Sequence, residues 1–477
     1  MPLGIGIDFG TTNSAAAVYD GERVRLVALE DGHPILPSAT YIDRDLQTLT
    51  GQAAIDRYID DNTGRTVEMI PEVIGGTSAF VEHGDSENPA PVETSTQRIY
   101  GRPLVDSGLQ GRLFRGTKRL LGDSRVRRLM VFDHPFRLVA LITPLLLRIC
   151  KAVQAEAGSC AEAHLGHPVT FEGRETFRDK TALARLGEAY RYAGIVRQHF
   201  YPEPVAAAVS YLSGEHARGA EAPGDHLLTL DFGGGTLDLC VLRRQGGARF
   251  EVVTTYGLAL GGDHIDQRLF RELLFPRLGK GERWRRQGMD REIETDFPFE
   301  DYEELLLNWA VTYTLNQNRY TAPVTERIAQ GGPGTEKFKR LNDLIQRNLS
   351  YQVFQAIKDF KARLSYEDEA VLDIPELDLE IPLRRDEFER LIADLLDRVA
   401  AALDETLARA ELPPSAIDVV LRTGGSSLIP AVHRMLTERF GARVVDYDPF
   451  TSVAAGLAIA DYHSLEHRSA DSAAAGG

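Results

Sequence analysis

The chain has 477 residues, 43% hydrophobic and 26% charged, enough for two or more compact globular units. Its net charge of −16 disfavours DNA or RNA as the main partner, since a phosphate backbone recruits surplus Lys and Arg. The three cysteines, Cys150, Cys160 and Cys240, form no C-x-x-C pair, so neither a zinc site nor a disulfide framework is indicated, and a reducing compartment fits.

In chain order, Leu3–Ile7, Ala15–Tyr19 and Val24–Leu29 read as strands, with Asp20-Gly21 as a hairpin turn. Asp8 interrupts the apolar start, so no signal peptide is visible. Residues from about Gly64 to Gly116 are rich in Gly, Pro and polar types and read as an irregular insert. The longest apolar run, Leu138–Leu147, is too short to span a bilayer. The expectation is a cytoplasmic protein with no membrane contact. Thr143-Pro144 reads as N-cap and first residue of a helix ending at Gly158.

Pro168–Phe171 reads as a short buried strand, followed by a helix from about Arg174 to Ala193 and a small-residue helix, Val205–Leu212. Another strand starts at His226. Helical character dominates Ile265 to Tyr366, broken at Gly279-Lys280-Gly281 and at Gly331–Gly334. The basic run Arg277–Arg286 reads as a solvated helix face or a dock for an acidic partner. Asp386–Ala410 is an amphipathic helix with Phe388, Leu391, Leu395, Val399 and Leu403 on one face, capped by Asp386 and Glu389. Val419–Arg422 is a strand, a helix starts near Pro430, and 463–477 reads as a disordered tail. The order predicts an α/β chain with two similar lobes.

The similarity rests on two stretches. Ile7-Asp8-Phe9-Gly10-Thr11-Thr12-Asn13-Ser14 and Leu230-Asp231-Phe232-Gly233-Gly234-Gly235-Thr236-Leu237-Asp238 each run from an apolar strand through Asp-Phe-Gly into a second apolar strand. Such turns surround an anion with backbone N–H groups and hydroxyls, because Gly lets the backbone come close. The Asp before each turn suits hydrated Mg²⁺. Two copies suggest two lobes gripping one triphosphate. Taken singly, Gly-Gly-Gly-Thr is an ordinary turn, Lys118-Arg119 a solvated pair, and Glu203 a favourable helix start.

In sequence the chain resembles the DnaK-type heat-shock chaperones, the seventy-kilodalton class. Gly6–Ser14 looks like that family's signature. Leu36-Pro37-Ser38, Gly51-Gln52-Ala53-Ala54, Lys118–Gly122, Glu203–Ala208, Asp231–Asp238, Leu260-Gly261-Gly262-Asp263 and Thr423-Gly424-Gly425-Ser426 follow in the same order. The resemblance implies an actin-like ATPase fold, two RNase-H-like lobes around an ATP cleft. It implies lobe I over 1–214 with the insert 64–116, lobe II over 215–446 with a helical insert 279–350, and a return to lobe I over 447–462. Little sequence follows Asp461, so the expected match is the short YegD-like branch, a nucleotide-binding domain alone.

The roles implied are specific. Gly10, Thr11, Thr12 and Asn13 would bind the β- and γ-phosphates of ATP or ADP from one side, and Gly233, Gly234 and Gly235 from the other. Gly261, Gly262, Asp263, Gly424, Gly425 and Ser426 would complete the nucleotide site, with Lys361 and Ser365 toward the adenosine. Asp8 and Asp231 would hold Mg²⁺, and Asp238 matches a position associated with K⁺. Lys118, Glu203, Asp231 and Thr236 would carry out hydrolysis. The adenosine side departs from the family pattern: Lys358 stands for an acid, Ala362 for a base, Leu428 for a stacking Arg and Phe450 for an acid. The expected function is a Mg-dependent, slow ATPase acting as a nucleotide-switched partner protein. The alternatives are a small-molecule kinase and an actin-type filament ATPase. The expected state is a monomer. A protein partner would dock through 279–350, which adds Trp284 and Trp309, though a buried Trp is the commoner structural reading.

Overall fold

The computed structural model describes residues 3–81, 93–171, 177–213, 225–246, 249–287, 292–447 and 451–465; for 70–105 and 287 it describes the backbone alone. Phe450 and the expected disordered tail beyond Leu465 lie outside the described residues. Two compact units appear. One comprises Met1–Asp60, Gly111–Arg277 and Tyr351–Gly477; the other comprises Asp61–Gln110 and Leu278–Ser350.

The first unit holds two sheets of the same design. In one, Val24–Leu26, Asn13–Tyr19 and Gly4–Phe9 form an antiparallel meander, which continues through the parallel strands Glu162–His167 and Arg197–Pro202. In the other, Phe250–Leu258, Leu237–Arg244 and His226–Phe232 form the meander, followed by parallel Val419–Thr423 and Val444–Asp446. The repeated strand order meets the expectation of an α/β chain with two similar halves. In both sheets the central strand is largely buried and ends in Asp-Phe, so each Asp-Phe-Gly turn emerges at the C-terminal end of the central strand of its sheet. The first copy of the motif spans strands Gly4–Phe9 and Asn13–Tyr19, the second His226–Phe232 and Leu237–Arg244; these are the first and second hairpins below.

Two helices rich in small residues, Glu203–Ser213 and Ser452–Tyr462, cross in this unit. A Cβ at Gly456 would overlap the Ala206 backbone, and one at Gly6 would overlap the Ala454 carbonyl. Missing side chains at these positions set the close approach of helix to helix and helix to sheet.

Several expectations are corrected. The helix expected to open at Thr143 begins at Leu138 and runs to Ala157, with Pro144 inside it. The proline forgoes one backbone bond, but burial of Leu141, Leu145, Leu146 and Ile149 on both sides of it holds the helix. This helix is long and apolar enough to cross a membrane, yet half of it is buried inside the first unit. The buried strand is Glu162–His167, and Pro168–Phe171 is a loop, since proline cannot donate to a ladder. The helix expected from Arg174 is described from Arg178 to Tyr192. The amphipathic stretch after Arg384 is two helices, Arg385–Leu391 and Ala393–Ala410, broken at Ile392. Its cap is also different: Glu387 accepts the Arg384 N–H at 3.2 Å.

The segment expected to be irregular contains a long antiparallel pair in the second unit, Met69–Val81 with Glu93–Asp106. Register shifts around Val73 absorb the Gly and Pro residues that hid it. The basic run is no helix face. Arg283–Gln287 is a strand paired with Glu292–Asp296, and Arg283 and Arg285 each lie 3.8 Å from carboxylates of that partner strand. Trp284 points the other way, 7% exposed, with its ring 5.5 Å from Phe297. Alternation of period two explains the pattern, and the cations are paired within their own hairpin. Helices Glu300–Leu306, Asn318–Ala329 and Thr335–Gln346 follow.

Candidate functional site

The first turn is braced from below. Ser38 Oγ donates to the Gly10 carbonyl at 2.8 Å, and Ser38 N–H donates to the Thr12 carbonyl at 2.8 Å. Leu36-Pro37-Ser38 is therefore a buttress for Gly10–Asn13. The second turn is closed by the Gly233 N–H on the Thr236 carbonyl at 3.0 Å. Gly262 and Asp263 donate N–H groups to the Gly233 and Gly234 carbonyls at 3.0 and 2.7 Å, and Ser426 Oγ donates to Gly233 at 3.0 Å. The Gly233 and Gly234 carbonyls thus face Gly262, Asp263 and Ser426, and with the Gly233 N–H taken up by Thr236 the turn has the Gly234 and Gly235 N–H groups to offer an anion. Gly424, at φ 79°, passes against Asp231 and Phe232 in a conformation suited to glycine.

Between the turns lies a cavity of about 220 Å³, lined by Asp8, Gly10–Asn13, Lys118, Arg119, Glu203, Asp231, Gly233–Thr236, Asp238, Gly424 and Gly425. A chamber of about 640 Å³ adjoins it and shares Glu203, Asp231, Thr236 and Asp238. Lys118 comes from a short 3-10 turn, Thr117–Leu120, and Glu203 from the first residue of its helix. The Lys118 ammonium donates to Glu203 Oε1 at 2.6 Å. Burial opposes the Lys118 charge, but Glu203 and Asp8 outweigh it and hold its pKa above the ordinary value. Thr236 Oγ1 donates to Asp238 Oδ2 at 2.8 Å.

The two aspartates carry the electrostatic strain. Burial, then the Glu203 charge, pushes Asp8 up to about 7. Burial, then Asp238, Glu203 and Asp8, pushes Asp231 up to about 8. Asp8 Oδ1 is buried without a hydrogen-bond partner. Crowded, desolvated carboxylates with an unsatisfied oxygen fit a hard divalent cation. Among the described residues no three His, Cys, Asp or Glu side chains stand together as a cage. The donor set therefore fits Mg²⁺, which keeps its waters, better than an ion held by protein ligands alone.

On the adenosine side the expected residues are partly engaged elsewhere. Lys361 lies 2.5 Å from Asp266 Oδ1, a carboxylate 1% exposed, and also donates to the Gly262 carbonyl at 3.3 Å. Ser365 Oγ bonds back to its own helix at Lys361, 3.4 Å away. Lys358 Nζ lies 4.0 Å from Asp263 Oδ1. His264 Nδ1 accepts the Gly261 N–H at 3.2 Å, in keeping with a helix-start role. Sequence reasoning missed three contributors. Asp266 fixes Lys361. Gly166 lies where a side chain would crowd Glu203 and Asp8. Arg119 packs on Gly235, where a Cβ would overlap its guanidinium. The pairing of Lys118 with Arg119 was the available signal for the last.

A family model described as Hsp70 protein matches residues 4–117, 177–281 and 337–466. Among curated proteins the chain is 28% identical over 461 residues to the heat shock 70 kDa protein BIP3 of Oryza sativa subsp. japonica, covering 95% of this chain and 56% of the relative. It is 25% identical over 462 residues to the chaperone protein dnaK of Cyanidioschyzon merolae, with 95% and 61% covered. It is 26% identical over 463 residues to the chaperone protein HscA homolog of Aromatoleum aromaticum, with 96% and 57% covered. The chain thus spans less than two thirds of the length of these relatives. Both phosphate turns fall inside the matched segments, and the match takes in well over half of the residues. The chain belongs to the Hsp70 protein family, and its mixed α/β architecture is that family's actin-like ATPase fold.

Proposed function

We propose that this chain binds Mg-ATP in the cleft between the two phosphate turns, hydrolyses it slowly, and uses the bound nucleotide to switch its affinity for a protein partner. The observation that carries this reading is the convergence of both turns, Lys118, Glu203, Asp8 and Asp231 on one cavity. Thr11, Thr12 and Asn13 grip the β- and γ-phosphates from one side, and Gly233, Gly234 and Gly235 from the other. Asp8 and Asp231 would hold Mg²⁺, which would supply positive charge against the phosphates. Asp238, held by Thr236, would be the residue for K⁺. Glu203 and Asp231 orient the attacking water and accept its proton, and Lys118 stabilises charge that develops on the transferred group.

In this reading the lobes divide as 1–214 and 215–446, with 447–462 returning to the first. The inserts are 64–116 and 279–350. The stretch 282–336 is unmatched by the family model, which supports a partner-specific surface there, although its basic run is internally paired. The three buried free cysteines are in keeping with a reducing compartment such as the cytoplasm, and the chain would act as a monomer. Calorimetry with ATP, ADP and GTP, with and without Mg²⁺, followed by free phosphate release, tests the proposal. Absence of Mg-ATP binding would end it.

A second reading has one observation in its favour. The 640 Å³ chamber opens on Glu203 and Asp231 and is large enough for a small acceptor molecule. Formation of ADP that depends on an added hydroxyl acceptor, without free phosphate, would identify a small-molecule kinase instead.

A further inference from the structure

We infer that Arg119 is a phosphate-binding residue of this cleft, a second cation that reaches the nucleotide from the rim while Lys118 serves the floor. The inference rests on the proposed nucleotide-binding function and deepens it. The 3-10 turn Thr117–Leu120 presents consecutive residues in two directions. Lys118 turns inward, 6% exposed, and is committed to Glu203 at 2.6 Å. Arg119 turns to the second hairpin, where its guanidinium lies on the Gly235 backbone in the space a side chain would need.

Charge makes the position consequential. Asp8, Glu203, Asp231 and Asp238 line the same cavity, and Lys118 and Arg119 are the Lys and Arg side chains among its described lining residues. A triphosphate entering beside four carboxyl groups needs more than one cation, and the Lys118 ammonium is shared with Glu203. A guanidinium against Gly235 brings a forked donor to a turn that is itself suited to an anion. The third glycine of Gly233-Gly234-Gly235 is thereby explained, because it makes room for Arg119. The arrangement also ties a segment of the first half of the unit to the turn of the second.

Three variants of the full chain test this: Arg119→Gln, which keeps length and removes charge; Arg119→Lys, which keeps charge; and Gly235→Ala, which displaces the guanidinium without removing it. ATP affinity is read by calorimetry, and folding by a nucleotide-free thermal melt. We expect Arg119→Gln to weaken ATP by ~10-fold or more, Arg119→Lys to retain most of the affinity, and Gly235→Ala to fall between, with melts close to the parent. Unchanged affinity in Arg119→Gln overturns the inference, and so does an equal loss in Arg119→Gln and Arg119→Lys. If the parent protein binds no ATP, the function itself fails along with it. If the parent binds and the Gln variant binds equally, the function stands and only Arg119 is misassigned.

Discussion

Lys118 Nζ lies 2.6 Å from Glu203 Oε1, although 85 positions separate them in the chain. The pair joins a 3-10 turn to the start of a helix at the centre of the cleft, and it is mostly buried. Neither residue reads as functional alone. Their pairing beside Asp8 converts a surface-like Lys-Arg and a helix-start Glu into one charge-bearing unit.

If Lys118 works on developing charge, its loss should affect turnover more than binding. Lys118→Ala is expected to lower single-turnover ATP hydrolysis by ~10²-fold or more, with a smaller loss of ATP affinity. Thr236→Ala should act in the same direction and more mildly, since it frees Asp238 rather than removing a charge. Phosphate release and calorimetry on the same samples separate the two effects. Loss of binding that accounts for the whole loss of rate would assign Lys118 to ground-state binding.

The raised aspartates predict a pH dependence of stability. In the unfolded chain both titrate near 3.8; folding moves Asp8 to about 7 and Asp231 to about 8. Raised carboxyl groups favour the fold fully below the unfolded value, and that contribution is lost as pH climbs through the folded values. The nucleotide-free protein should therefore melt at lower temperature at pH 9 than at pH 6, by ~5 °C or more. Asp231→Asn should flatten the profile, and Mg²⁺ with nucleotide should oppose the loss. A melting temperature that rises over this range would contradict the crowded-carboxylate picture.

Lys361 offers a different separation. Its ammonium is tied to Asp266, whose side chain is buried. Lys361→Met should leave that carboxylate unpaired and destabilise the protein by about 3–5 kcal/mol in urea unfolding. Lys361→Met with Asp266→Leu should recover most of the loss. If Lys361 served the nucleotide alone, Lys361→Met would weaken ATP binding without moving the urea midpoint.

The phosphate turns were legible because they combine strand periodicity with Asp-Phe-Gly and a glycine run, all local in sequence. Glu203 and Lys118 were legible only through resemblance, since their meaning comes from a contact across the fold. The hairpin at Arg283–Asp296 was misread because a run of cations looks the same on a helix and on a strand until its acidic partner strand is placed opposite. The helix at Leu138–Ala157 was cut short because Pro144 is a local stop signal, and tertiary burial overrode it. Arg119 escaped notice because its role depends on its contact with Gly235.

The crossing of Glu203–Ser213 with Ser452–Tyr462 gives a prediction whose sign departs from local rules. Gly456 sits inside a helix, where Gly→Ala ordinarily stabilises by about 1 kcal/mol. Here the added Cβ would meet the Ala206 carbonyl and backbone, which cannot move aside as a side-chain end can. Gly456→Ala should therefore destabilise, by ~1–3 kcal/mol, as overpacking does in a dense core. Gly187, inside the helix Arg178–Tyr192, is the control, because its added Cβ would meet a side-chain end, Gln198 Oε1 at 2.9 Å, rather than backbone. Ala206 lies one turn from Glu203, so displacement at the crossing should shift Glu203 away from Lys118. Gly456→Ala should consequently slow ATP hydrolysis with no substitution in the cleft, while Gly187→Ala leaves the rate near the parent value. Urea unfolding and phosphate release check both halves. A stabilised Gly456→Ala variant would mean that the helices do not cross at the spacing described.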